Sequence, residues 1–124
     1  SGYASSNLVA HADRCTSSAG CIITTTPPID LTGYQDVTLK FWRYVDNNID
    51  SNERLRVQIF DGTNWNTIVE WTNGIGDDDI WHQESFDLPA NYLINNFNVR
   101  FVSKESSSSE EVEIDDVLIS GIKI

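Results

Sequence analysis

Alternation of apolar and polar residues constrains this chain more than any other feature. Val37, Leu39, Phe41 and Val45 alternate with Thr38, Lys40, Trp42 and Tyr44. Leu55, Val57 and Ile59 alternate with Arg54, Arg56 and Gln58, and Phe97, Val99 and Phe101 with Asn98 and Arg100. A period of two lines the apolar members of a run along one face of an extended strand and leaves the other face polar. Further runs at Asn7 to Ala10, Ile22 to Thr26, Trp65 to Trp71, Trp81 to Leu88 and Val112 to Ile119 bring the total to about eight strands, the number of a two-sheet antiparallel β-sandwich of jelly-roll type. Only Ala90 to Asn95 has the composition of a helical turn. At 124 residues, with no internal repeat and no linker-like segment, the chain reads as a single domain over residues 1–124.

The connections carry signals of their own. Asp61-Gly62 falls between Phe60 and Trp65, and both residue types tolerate the positive φ of a hairpin turn. Pro27-Pro28 ends the second strand, where a missing N–H would spoil a ladder. Asn73-Gly74-Ile75-Gly76 opens an acidic loop, and the four serines 106–109 form a polar hairpin loop between good strands.

If successive strands run antiparallel, alternate loops fall at the same end of the domain. That end then collects Asp13, Asp46, Asp50, Glu53, Asp77, Asp78, Asp79, Glu105, Glu110 and Glu111, while Asp30, Asp36, Asp61 and Asp87 lie at the other. Crowded carboxylates repel, and a hard cation that takes six to eight oxygens relieves the repulsion. Asp46 and Asp50, with Asn47 and Asn48 between them, are placed to fold around one Ca2+, with Glu53 beside them and Asp77, Asp78 and Asp79 closing the shell from the neighbouring loop. A solvated acidic rim is the plain alternative, and no EF-hand pattern is present. Asp115-Asp116 is a second metal candidate. Val112 and Ile114 share one parity and Val117 and Ile119 the other, so the register breaks at this pair, as a β-bulge would make it. An inward-turned carboxylate there would need an arginine or a cation. Without a bulge, Leu118 continues the parity and Asp116 is neutralised by a buried hydrogen bond.

A net charge of −11 argues against nucleic acid or an anionic membrane as partner, since both need a basic surface. No run of apolar residues is long enough to insert in a bilayer. The absence of Met and of a signal peptide reads as a mature or excised fragment. Cys15 and Cys21, the two cysteines, flank a small flexible segment; their spacing suits a local disulfide and hence an oxidising, extracellular setting, with two free thiols as the other reading. Zinc has no paired-ligand spacing to use, His11 and His82 being the two histidines.

Four tryptophans are many for this length. Most tryptophans in small sandwiches anchor the core, but Trp42 and Tyr44 have the parity opposite to Leu39 and Phe41, so they are the aromatics expected outside, where flat rings stack on sugars. Catalysis has little support. No Gly-x-Ser-x-Gly elbow or metalloprotease histidine pair occurs, and the carboxylates sit in loops without a deep cleft. An enzyme is not expected.

From Cys21 to Ile119 the order and spacing of several segments resemble MAM-like and carbohydrate-binding-module-like jelly rolls, accessory domains of secreted and surface proteins. The segments are Thr26-Pro27-Pro28-Ile29-Asp30-Leu31-Thr32-Gly33-Tyr34, Val37 to Trp42, Trp81-His82-Gln83 to Phe86-Asp87-Leu88, Asn98 to Val102 and Val112 to Val117. The resemblance implies a Ca2+-supported sandwich whose partners are glycans or surface proteins, with Asp115 and Asp116 helping to hold a structural ion. One departure is that such domains usually carry an acidic ligand on a strand upstream of Gly2-Tyr3. Either the site is built instead at Asp46 and Asp50, or another chain lends the strand. The expectation is thus a Ca2+-stabilised extracellular binding or adhesion module, the alternative a surface subunit that self-assembles into homo-oligomers by strand exchange.

Overall fold

The computed structural model describes residues 10–12, 21–25, 27–47, 49, 53–104 and 112–124. They form β1 (Ala10–Ala12), β2 (Cys21–Thr25), β3 (Tyr34–Val45), β4 (Arg54–Phe60), β5 (Trp65–Thr72), β6 (His82–Asp87), β7 (Val99–Lys104) and β8 (Val112–Lys123). One 3-10 turn, Ala90–Tyr92, stands where the sequence suggested a helical turn. Two four-stranded sheets are ordered β1-β8-β3-β6 and β2-β7-β4-β5, and all their ladders are antiparallel. The all-β two-sheet sandwich expected from the alternation is therefore the architecture. Among the described residues no helix is long and apolar enough to cross a membrane.

The alternation becomes the core directly. On β3, Val37, Leu39, Phe41 and Val45 point between the sheets, while Lys40 and Trp42 face out. On β4, Leu55, Val57 and Ile59 point inward from the opposite sheet. Phe41 sits at the junction: its ring meets Phe101 edge-on at 5.1 Å and Trp71 edge-on at 6.2 Å, and stacks on Phe86 at 6.0 Å. Edge-to-face and offset contacts of this kind add to the free energy of burying the rings themselves. Trp71 is thus the core anchor among the tryptophans.

Two bulges shape the sheet that contains β3. Lys40 pairs with Leu118 and Trp42 with Asp115, so the single residue Phe41 faces two residues of β8, Asp116 and Val117. Asp116 takes a φ of +50°, and its N–H donates to Asp115 Oδ1 at 2.8 Å. The parity break read at this pair is therefore a bulge; it keeps Ile114 and Val117 both in the core. Its carboxylates do not turn inward: Asp116 is exposed and Asp115 half-exposed. The second bulge sets Asp36 and Val37 against Gly121, with Asp36 at a φ of +53°. A Cβ on Gly121 would come within 2.7 Å of Val37 Cγ2, so only glycine lets the bulged strand approach.

The hairpin between β4 and β5 turns at Asp61-Gly62, with Gly62 at a φ of +99°. Asp61 Oδ1 accepts from the N–H groups of Asn64 at 2.7 Å and Thr63 at 2.9 Å, and Oδ2 accepts from Asn66 Nδ2 at 3.0 Å. The hydrogen bond from Asn64, then those from Asn66 and Thr63, hold the Asp61 carboxyl below its ordinary pKa. A lowered folded-state pKa means that the charged turn stabilises the fold above the ordinary carboxylate range and loses that contribution as pH falls through the folded value. Thermal melts through the acid range should accordingly show a shallower pH dependence for Asp61→Asn than for the parent chain. Parallel acid limbs would mean that the Asp61 charge is not what the turn uses.

Candidate functional site

The polar face of the β8-β3-β6 sheet carries three aromatic residues that lie outside the core; Phe60 and Trp65 pair on the other sheet, at the β4–β5 hairpin. Cross-strand register sets them in rows. Trp42 lies between Asp115 on β8 and Gln83 on β6, and Lys40 between Leu118 and Ser85. One row further, Tyr44 lies beside Glu113, and its ring meets that of Trp81, the residue just before β6, at 5.6 Å with a 45° tilt. Trp42 is 37% exposed and Trp81 40%. Two tryptophans and a tyrosine thus share one face of a rigid sheet, bordered by Gln83, Lys40 and Asp115. Trp42 and Tyr44 were expected here from parity. Trp81 was not, although its own parity, shared with exposed Gln83 and Ser85 and opposite to half-buried His82, Glu84 and Phe86, was a signal for it.

The loop that brings Trp81 to this face is held from below and from the side. Arg43, buried between Phe41 and Val45 in sequence, donates from Nε to Glu84 Oε2 at 2.9 Å and from an Nη to the Gly76 carbonyl at 2.8 Å. Its guanidinium lies 4.2 Å over the ring of Trp71. A Cβ on Gly76, which has a φ of +81°, would run into the Trp71 ring. On the other side Asp79, at a φ of +59°, donates its N–H to the Val45 carbonyl at 3.2 Å. Its Oδ1 accepts from the Asn47 N–H at 2.8 Å and from the Tyr44 hydroxyl at 3.3 Å. The loop's position follows from bonds to β3, so the aromatic face is preformed.

The same contacts decide what the acidic residues do. The loops after β3 and β5 meet, as parity required: besides the Asp79 bonds, Asn73 Nδ2 donates to the Ile49 carbonyl at 2.6 Å. The three aspartates of the second loop nevertheless turn to different donors. Asp77 Oδ1 accepts from the Gly74 N–H at 2.9 Å, Asp78 Oδ2 lies 2.7 Å from His82 Nε2, and Asp79 caps Asn47. The His82 hydrogen bond is the main reason that the Asp78 carboxyl lies below its ordinary pKa. Glu53, expected in the loop as a cation ligand, is buried at the foot of β4 and engaged there. Among the described residues no three His, Cys, Asp or Glu side chains converge on a point that an ion would occupy. Asp46, Asp77, Asp78 and Asp79 by themselves do not make the oxygen shell of calcium, which takes six to eight ligands. Asp50, Glu105, Glu110 and Glu111 lie outside the described residues, as does Cys15; Cys21 opens β2.

Known structures share this architecture. No family model matches the chain, and no curated protein matches it. The K3 adhesin domain of the Lys-gingipain of Porphyromonas gingivalis aligns over 95% of this chain and 73% of its own length, with 21% identity and a TM-score of 0.56. The K1 adhesin domain of the same protein aligns over 77% of this chain at 26% identity with a TM-score of 0.54, the aligned part being 60% of that domain. A CBM4 module aligns over 91% of this chain at 17% identity with a TM-score of 0.55. At the level of fold the likeness is to adhesin and carbohydrate-binding domains. The carbohydrate-binding-module side of the sequence resemblance holds at that level; the MAM-like side gains no support from these structures.

Arg43 offers the sharpest test of how the face is built. Breaking a buried ion pair from one side leaves the other charge uncompensated and costs about 3–5 kcal/mol. Glu84 keeps a quarter of its side-chain surface exposed, which moves the expectation to the lower end. Arg43→Met should therefore cost about 3 kcal/mol in urea denaturation, and Glu84→Gln less. A cost under about 1 kcal/mol for Arg43→Met would show that the guanidinium bears no such load.

Proposed function

We propose that this chain is a non-catalytic binding module that recognises glycans through the aromatic face of Trp42, Tyr44 and Trp81. The observation that carries the reading is the exposure of two tryptophans on the polar side of a β-sheet, held there by a hydrogen-bonded loop. Leaving large rings in water has no folding benefit, whereas their flat apolar faces match the C–H faces of sugar rings, and Gln83, Lys40 and Asp115 supply donors and acceptors for hydroxyls. The structural likeness to gingipain adhesin domains and to a CBM4 module supports a binding role of this kind. A surface or secreted setting suits it, and the Cys15 and Cys21 spacing supports that setting.

Direct binding to immobilised glycans tests the proposal. Buried aromatic contacts dominate recognition energies, and truncating one typically costs about 2 kcal/mol, or roughly thirtyfold in affinity. Trp42→Ala and Trp81→Ala should each weaken binding by about that factor while leaving the melting temperature within a few degrees of the parent. Equal affinity in both variants would move the site elsewhere.

We also propose that calcium stabilises the acidic end. The meeting of the loops after β3 and β5 supports it, and Asp46 together with Asp50 would be the first ligands. An ion that binds only the folded chain stabilises it by about 2.7 kcal/mol at a hundredfold excess over Kd. Asp46→Ala combined with Asp50→Ala should remove the calcium-dependent rise in melting temperature, and Asp61→Ala should not. Identical melts in chelator and in millimolar calcium would leave the acidic rim as a set of hydrogen-bonded turns.

A further inference from the structure

The aromatic face does not end at Trp42. The outward positions of the β3–β6 ladder continue through exposed Lys40 and Ser85 to half-buried Thr38 and exposed Asp87, and a cavity of about 390 Å³ opens there. It lies four residues along β3 from Trp42, about 13 Å at the rise of an extended strand. The bulge at Asp36 and Val37 shapes one wall, and the 3-10 turn that follows Leu88 shapes the other. Polar groups of Gln35, Asp36, Thr38 and Asp87 line it together with the apolar side chains of Leu88 and Leu93. Thr38 Oγ1 lies 3.4 Å from Asp87 Oδ1, and Asp36 has no side-chain partner among the described residues. Small-ligand sites typically occupy about 300–1,000 Å³ and combine an apolar wall with a few fixed polar groups.

We infer that this cavity is a second sugar subsite, so that the module takes a stretch of extended glycan chain running along β3 and β6 rather than a single terminal sugar. The inference rests on the glycan reading of the aromatic face. In it, Trp42 and Trp81 stack the first rings, Lys40 and Ser85 meet the hydroxyls of the chain between, and the Asp36 and Asp87 carboxylates accept hydroxyl hydrogen bonds from a ring packed on Leu88 and Leu93. Its chemistry also selects the sugar. Two carboxylates in a lining that contains no Lys or Arg repel uronate and sulfate groups, so the subsite takes a neutral or amine-bearing ring.

Calorimetric titration with neutral cello-, xylo- and chito-oligosaccharides, each from the disaccharide to the hexasaccharide, tests this. Affinity for the bound series should rise with length and then gain about tenfold at the length that reaches the cavity. The double variant Asp36→Asn with Asp87→Asn keeps the shape of the cavity, and asparagine tolerates the positive φ at position 36. It should erase the gain for long chains and leave the short ones bound as before, with an unchanged melting curve as the check on folding. Trp42→Ala should weaken short and long chains alike. If short chains bind and length brings no gain, or if the double variant keeps the gain, the second subsite is wrong while the aromatic face stands. If no oligosaccharide of any length binds, the glycan reading fails and the subsite with it.

Discussion

A guanidinium shut inside an apolar sandwich is the constraint on which the rest of this structure turns. Arg43 occupies an inward position of β3, where burial of an unpaired charge would be prohibitive. It is tolerated because Glu84 on the adjacent strand, the Gly76 carbonyl and the face of Trp71 surround it. Those three partners come from β6, from the loop after β5, and from β5 in the other sheet. One side chain therefore ties both sheets to the loop that delivers Trp81. The outward residues on either side of it, Trp42 and Tyr44, are the ones that form the candidate ligand face, so the buried and the exposed halves of β3 serve one arrangement.

The acidic character of the chain has a structural explanation that does not begin with a metal. A tight loop leaves N–H groups with no ladder partner, and an aspartate carboxylate is a compact acceptor for them. Asp61 serves the β4–β5 hairpin in this way, Asp77 the loop after β5, Asp79 the loop after β3, and Asp115 the bulge of β8. Each of these carboxylates replaces a missing main-chain acceptor. Asp77, Asp78 and Asp79 each turn to a different donor, so these three do not themselves close on one centre.

The sandwich shared with adhesin and carbohydrate-binding domains at 17–26% identity is a scaffold that fixes sheets and leaves faces open to variation. What distinguishes this chain lies on one of those faces. Aromatic residues occupy one stretch of the β3–β6 ladder and a bulge-shaped cavity the other, joined by exposed polar pairs. A rigid sheet sets their separation, which a mobile loop would not.

Much of this was legible in the residues alone. The inward set of β3 and β4, the turn at Asp61-Gly62, the bulge at Asp115-Asp116 and the outward parity of Trp42 and Tyr44 all follow from local periodicity and turn chemistry, which the backbone obeys wherever a strand forms, and the meeting of two acidic loops follows once successive strands are taken as antiparallel. Tertiary structure decided the rest. Whether Arg43 points into the core or away from it is a matter of parity, but that it can stay there depends on Glu84, Gly76 and Trp71, which no local rule brings together. Glu53 is buried and Asp77 to Asp79 are divided among different donors for the same reason. The contact of Trp81 with Tyr44, and the cavity between the β3 bulge and the Ala90–Tyr92 turn, exist only because register sets distant segments side by side. Periodicity is a property of one strand and is written in its residues; a site is a property of which strands lie next to one another, and that is settled only when the whole core packs.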